Sequence, residues 1–99
     1  MQYIVIAGYS GVYSGWAEGG AEALKPDGRV ILHEARHLRR YRVAGHTGDG
    51  SAADLARFGL SPSSPSITGP VAGASVLLDI HRAFPVAAAA VASFVDVQS

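Results

Sequence analysis

Short hydrophobic runs recur along the chain, and most of them show the period of β-strands. The first run, QYIVIA at residues 2–7, is β-branched and aromatic, which favours a buried strand. The second, VYSGWA at residues 12–17, alternates and places Trp16 on one face and Tyr13 on the other. Because only a few turn residues separate the two runs, they predict an antiparallel hairpin.

A third strand, RVILH at residues 29–33, follows the turn signature PDG at residues 26–28. The arginine-rich stretch after it fits two periods. Interpreted as a helix, the stretch places its apolar side chains roughly on one face. Interpreted as a strand, its side chains alternate between the two faces from Leu38 onward. We favour a bend near Ala35 and Arg36 that is followed by a strand.

Helical and extended patterns mix in the second half of the chain. Asp49 or Ser51 is suited to cap a helix that ends at Gly59. A proline-rich loop at residues 61–70 comes next. The remaining predicted elements are a strand at residues 74–83, a short helix at residues 86–92 that Pro85 opens, and a last strand at residues 94–97.

This order of elements predicts an α+β fold. We expect a small, mostly antiparallel sheet of four to six strands with one or two short helices packed on it. A length of 99 residues predicts a single domain over residues 1–99.

Composition limits the core and the chemistry. Hydrophobic residues make up 48% of the chain, but only three Phe and one Trp fill volume, so we expect a second copy or a partner to cover apolar surface. The chain has no cysteine, which excludes thiol chemistry. Neither a signal peptide nor a membrane span is predicted, because charged residues and Pro85 interrupt the apolar region at residues 71–95. We expect a cytosolic protein.

Charge is neutral overall but unevenly distributed. Residues 29–42 hold five arginines against one acid, a local charge of +4 in a chain of net charge zero. Because nucleic-acid-binding proteins are usually basic overall, we do not expect direct DNA binding. The cluster is either a site for phosphate, which guanidinium groups bind well, or an edge strand kept soluble by charge.

A glycine-rich loop, GHTGDGS at residues 45–51, directly follows the arginines and precedes a predicted helix. Its backbone N–H groups suit an anion, although it lacks the Lys-Ser/Thr pair of a Walker loop. A simple capping loop is the alternative. If the loop and the arginines converge, they bind one anionic ligand and Tyr41 or Trp16 stacks on its base. The candidate ligand-binding residues are Arg36, Arg39, Arg40, Tyr41, Arg42, His46, Gly48, Gly50, Ser51 and Trp16.

Catalytic and metal motifs are weak in this sequence. None of the serines lies in a GxSxG elbow, and the acids are scattered singly. His33 and His37 have the i, i+4 spacing of helical zinc ligands, but HExxH is missing. We predict no catalytic residues, no metal and no cofactor.

Four segments resemble a family of small, uncharacterised phage-encoded proteins. They are YSGVYSGW at residues 9–16, VILHEARHL at residues 30–38, AG at residues 44–45 and DLARFG at residues 54–59. In the family, a "YSaGVhaG" hairpin precedes "vxLxxaRRlwyWsGA" and a "sLxxlAxxG" helix. His37 stands where the family repeats arginine, and arginines flank Tyr41 where aromatic residues are usual, which implies altered ligand stacking.

The resemblance implies a phage protein in the host cytoplasm. Small phage proteins of this kind often act by binding, so the leading hypothesis is an antagonist of host defence. It would be an anti-CRISPR type inhibitor of a protein–nucleic-acid complex, or it would sequester an immune signalling nucleotide. The first alternative is a non-catalytic structural or accessory phage protein, and the second is a small hydrolase or transferase.

Overall fold

A computed structural model of the chain describes residues 1–8, 11–23, 30–45, 51–77 and 80–96. Three predicted features lie outside these ranges: the PDG turn, most of the glycine-rich loop, and the last residue, Val97, of the predicted C-terminal strand. The described elements in chain order are β1 (Gln2–Gly8), β2 (Gly11–Ala17), a 3₁₀ turn (Ala21–Ala23), β3 (Val30–Arg40), α1 (Ala52–Phe58), β4 (Ser66–Ile67), β5 (Val71–Leu77), β6 (Ile80–Pro85), a second 3₁₀ turn (Ala88–Ala90) and α2 (Val91–Val95).

The strands form one antiparallel sheet, which confirms the predicted α+β fold. Its long strands follow the order β6-β1-β2-β3-β5, and the two-residue β4 pairs with the far end of β3. The predicted hairpin of β1 and β2 is present and pairs residue by residue from Gln2 with Ala17 to Gly8 with Gly11.

The sheet must curl strongly. In a flat sheet, β6 and β5 would lie about 19 Å apart, since four steps of about 4.8 Å separate them. Leu77 at the end of β5 and Ile80 at the start of β6 are only three positions apart, so their Cα atoms are within about 11 Å. The two outer strands therefore approach each other at this end, and the sheet encloses its concave face.

Two groups of buried side chains fill the two faces of this sheet. The helix-side core joins strand residues to both helices; its buried members are Tyr3, Val5, Leu38, Val43, Leu55, Ala56, Leu60, Val86, Ala90 and Phe94. The strand-side core draws on β1, β2, β3 and the first 3₁₀ turn; its buried members are Ile4, Ile6, Ala17, Ala21, Val30, Leu32 and Ala35. Since β1 contributes to both, it is buried on both faces, as its continuous apolar run predicts.

Strand β3 is a single strand with an irregularity, where the sequence predicts a bend. Glu34 has a φ of 54°, which non-glycine residues rarely adopt, and the pairing register with β2 shifts between Ser14 and Trp16. β3 carries one extra residue at this point, which is a β-bulge. Gly15 lies opposite, and a Cβ there would sit 3.1 Å from the His33 carbonyl oxygen.

Helix α1 begins and ends where the sequence predicts. The Ser51 hydroxyl accepts a hydrogen bond from the Asp54 backbone N–H at 3.2 Å, so Ser51, and not Asp49, is the N-cap. Gly59 has a φ of 101° and ends the helix. A Cβ at Gly59 would lie 2.6 Å from the Ser93 Oγ, so close packing against α2 also requires glycine.

Three predictions for the second half are wrong. Residues 74–83 belong to two strands, β5 and β6, because a continuous apolar run does not mark where one strand ends. Phe94 lies in α2 and not in a strand; it is fully buried, with its ring centroid 5.4 Å from that of Tyr3. The helix predicted at residues 86–92 starts later, as a 3₁₀ turn that continues into α2. Among the described residues, no helix is long and apolar enough to cross a membrane.

Candidate binding surface at the end of β3

The arginines at residues 36–42 divide into one buried and three exposed residues. Arg36 is only 4% exposed, and its Nη1 donates a hydrogen bond to the Thr68 carbonyl oxygen at 3.0 Å. Arg39, Arg40 and Arg42 are exposed. Arg36, one of the candidate ligand-binding residues, thus contacts the segment after β4, whereas the other three candidate arginines are exposed.

Arg39 lies near an aromatic pair. Tyr13 and His37 are cross-strand partners whose rings stack 4.4 Å apart at 14°. Arg39 follows His37 by two positions, and its charge acts on the imidazole. Burial lowers the pKa of His37, and the positive charge of Arg39 lowers it further. His37 is therefore neutral at pH 7, with the cation of Arg39 near it.

Arg42 follows the end of β3, yet hydrogen bonds fix its backbone. Its N–H donates to the Ser64 Oγ at 3.0 Å, and its carbonyl oxygen accepts from the Ser61 N–H at 2.8 Å. Two positions on, the Ala44 N–H donates to the Gly59 carbonyl oxygen at 2.9 Å. The serines of the proline-rich loop thus position Arg42. Sequence reasoning missed this role, although serine hydroxyls commonly bind backbone groups in turns.

The two aromatic residues predicted to stack on a base contribute to packing. Trp16 is half-buried against the helix-side core, edge-on to Tyr3 with a centroid distance of 5.0 Å. Tyr41 is half-buried against the same core. The predicted opposite orientation of Tyr13 and Trp16 is confirmed, since Tyr13 packs against the strand-side core. The aromatic pair near the exposed arginines of residues 39–42 is therefore Tyr13 and His37.

The glycine-rich loop contributes one described functional candidate. Ser51 uses its hydroxyl to cap α1. His46, Gly48 and Gly50 lie outside the described residues, so their convergence with the arginines stays a prediction.

A small pocket lies beside the buried Arg36. Its volume is about 30 Å³, room for about one or two water molecules. The lining residues are Tyr3, Trp16, Glu34, Arg36, Pro70 and Val95. The Tyr3 hydroxyl is 3.1 Å from the Ser14 Oγ, and burial raises the pKa of Tyr3. This hydroxyl therefore stays protonated and hydrogen-bonded, and it is unsuited to act as a base.

The two histidines with helical ligand spacing do not converge. His33 pairs across the sheet with Trp16 and His37 pairs with Tyr13, and these partners lie on opposite faces. Among the described residues, no group of three or more His, Asp or Glu side chains is arranged to hold a metal ion.

Fold and surface together define a small α+β protein with a curled antiparallel sheet, two short helices and an exposed arginine group at the end of one strand. Comparison with known proteins finds no match to a family model, a curated protein or a solved structure. The geometry of the chain itself must therefore support any functional conclusion.

Proposed function

We propose that this protein is a non-catalytic binding protein that contacts an anionic partner through the end of β3. One observation carries the proposal: Arg39, Arg40 and Arg42 are exposed within four positions, while Arg36 of the same stretch is buried. No acidic residue occurs in the sequence from residue 35 to residue 48, so the local charge is strongly positive. Guanidinium groups bind carboxylates and phosphates with paired hydrogen bonds.

The geometry favours an extended partner surface over a single phosphate. Arg39, Arg40 and Arg42 are all exposed, and the pairing register of β3 with β4 shifts between Leu38 and Arg40, so this end of the strand is irregular. Three exposed guanidinium groups spread over four positions fit an extended charged surface better than one compact anion. An acidic protein surface, or a nucleic acid held within a protein complex, has this shape and charge.

The resemblance to small phage proteins supplies a biological context for this surface. In that context the protein is an antagonist of host defence in the bacterial cytoplasm. It acts in the manner of an anti-CRISPR inhibitor, by occupying a charged surface of an immune complex. The zero net charge of the chain supports a protein-bound partner over free DNA, since free DNA would attract a basic protein more strongly.

A second candidate is sequestration of a signalling nucleotide. The Tyr13–His37 stack favours it, because the charge of Arg39 acts on His37 of this pair. A nucleotide could place a phosphate at Arg39 and its base on the outer side of the stacked rings. Purified protein that carries such a ligand would release nucleobase absorbance into the filtrate after denaturation.

The test uses a triple variant, Arg39→Gln, Arg40→Gln and Arg42→Gln, beside the wild-type protein. Both are immobilised and incubated with lysate from infected bacterial cells, with and without nuclease, and captured proteins and small molecules are identified by mass spectrometry. We expect the wild type to retain a partner that the triple variant loses. The matched control is Arg82→Gln, which removes an exposed arginine from β6. Equal capture by the wild type and the triple variant would overturn the proposal.

A further inference from the structure

An apolar pocket lies between α2 and the segment that follows α1. Its volume is about 180 Å³, and it is lined by Leu60, Pro62, Ala92, Ser93 and Asp96. A cavity of about 150 Å³ is large enough to bind benzene, so this pocket can take one aromatic side chain. Asp96, at the end of α2, is exposed and supplies the negative charge among the lining residues.

A large aromatic side chain is exposed next to this pocket. Phe58, the last residue of α1, is 42% exposed, and the Arg57 Cζ lies 5.0 Å from the centroid of its ring. The exposed end of α1 therefore presents an aromatic ring with a cation beside it. The pocket presents the complementary features, an apolar recess with a carboxylate among its lining residues.

The backbone that joins Phe58 to the pocket is held against α2. The Leu60 N–H donates to the Ser93 Oγ at 2.8 Å, and this hydroxyl donates to the Ala90 carbonyl oxygen at 2.6 Å. The chain from Phe58 to Leu60 therefore runs against α2, and the ring and the pocket occupy neighbouring parts of one surface. Two complementary features on one surface are what a two-fold symmetric contact needs, because each copy gives one feature and receives the other.

We propose that this surface joins two copies of the chain in a two-fold dimer. Phe58 of each copy inserts into the pocket of the other, and Arg57 approaches Asp96 of the other copy. A cation there is favourable for a second reason, since the backbone carbonyls at a helix C-terminus carry partial negative charge. The proposal gives the expected homo-oligomer a defined interface. It goes beyond the proposed function, because none of its residues belongs to the arginine surface.

The first test measures mass in solution by sedimentation equilibrium. One chain has a mass of 10.2 kDa, and we expect wild-type protein at about 100 μM to sediment with twice that mass. Phe58→Ser should sediment as a monomer and keep the far-UV circular dichroism spectrum of the folded protein, because the ring is 42% exposed in the single chain. The matched control is Ile31→Ser, which removes another exposed hydrophobic side chain, 50% exposed on β3, and should remain dimeric. A monomeric wild type, or a dimeric Phe58→Ser variant, would overturn the proposal.

The second test exchanges the charges. Arg57→Glu and Asp96→Lys should each weaken the dimer by about tenfold, because each places like charges together across the interface. The double variant Arg57→Glu/Asp96→Lys should bring the dissociation constant back to within about threefold of the wild-type value, since it restores opposite charges. If the double variant is as weak as the sum of the two single variants, Arg57 and Asp96 are not partners and the proposed arrangement is wrong.

Discussion

The two halves of β3 bury their even-numbered residues on opposite faces of the sheet. From Val30 to His33 the strand pairs with β5, and its even-numbered residues enter the strand-side core. From Arg36 onward, its even-numbered residues enter the opposite face, where Leu38 is part of the helix-side core. The extra residue at the Glu34 bulge causes this exchange. Side chains on a strand alternate between the two faces of the sheet, so one inserted residue reverses the face that the even-numbered positions occupy beyond it.

One strand thus contributes both to the two cores and to the proposed binding surface. The first half pairs with β5 and contributes Val30 and Leu32 to the core. The second half pairs with β2 and contributes Leu38, but its last residues, Arg39 and Arg40, are exposed. The short β4 covers only two residues along this half. The proposed binding surface therefore lies at the end of β3 that pairs least with its neighbours.

The largest effect on stability is expected when one buried leucine in each half of β3 is truncated. Leu32→Ala and Leu38→Ala should each lower the free energy of unfolding by about 3 kcal/mol, since both side chains are at most 2% exposed. Ile31→Ala is the matched control; its side chain is 50% exposed, and it should cost less than about 1 kcal/mol. Urea denaturation monitored by the fluorescence of Trp16 measures all three variants. If Leu38→Ala costs as little as Ile31→Ala, the second half does not bury its even-numbered residues.

Elements with a clean local signal were predictable from the sequence. The hairpin of β1 and β2 follows from two strand patterns with a short connection, and α1 follows from Ser51 and Gly59 at its ends. β3 looked ambiguous for a physical reason. The bulge breaks its two-residue period at Glu34, so neither the helical nor the extended pattern fits the whole stretch. A bulge leaves no residue-type signature when it forms at glutamate instead of glycine.

The candidate site was only partly predictable. Charge identified the arginines, but whether an arginine is buried depends on which segment covers it. Arg36 is covered by the segment around Thr68, more than thirty positions along the chain. The serines that hold the backbone of Arg42, Ser61 and Ser64, lie about twenty positions along the chain. Such contacts form only when distant segments pack together, so neither the hydrophobic period nor the residue type predicts them.

An intermediate effect is expected at the bulge itself. Glu34 has a φ of 54° and an exposed side chain, so Glu34→Gly should raise the free energy of unfolding by up to about 1 kcal/mol by removing the steric cost of the Cβ. Glu34→Val should lower it by about 1–2 kcal/mol, because a β-branched residue tolerates this φ poorly. Thermal unfolding by circular dichroism measures both. Equal stability of the two variants would show that the bulge does not constrain Glu34.

The smallest effect is expected in the titration of His37, and it tests which arginine lies closer to the imidazole. Burial and the charge of Arg39 hold the pKa of His37 below its usual 6.5. Since the folded state disfavours the protonated ring, the stabilising contribution is complete above about pH 6.5 and is lost as the pH falls through the lower folded pKa. Arg39→Gln should move the pKa of His37 partway back toward 6.5, as followed by NMR of the ring proton. Arg40→Gln is the matched control: it removes the same charge, but only Arg39 acts on His37 in the folded protein, so it should shift the pKa less. Equal shifts in the two variants would show that Arg39 is no closer to the imidazole than Arg40.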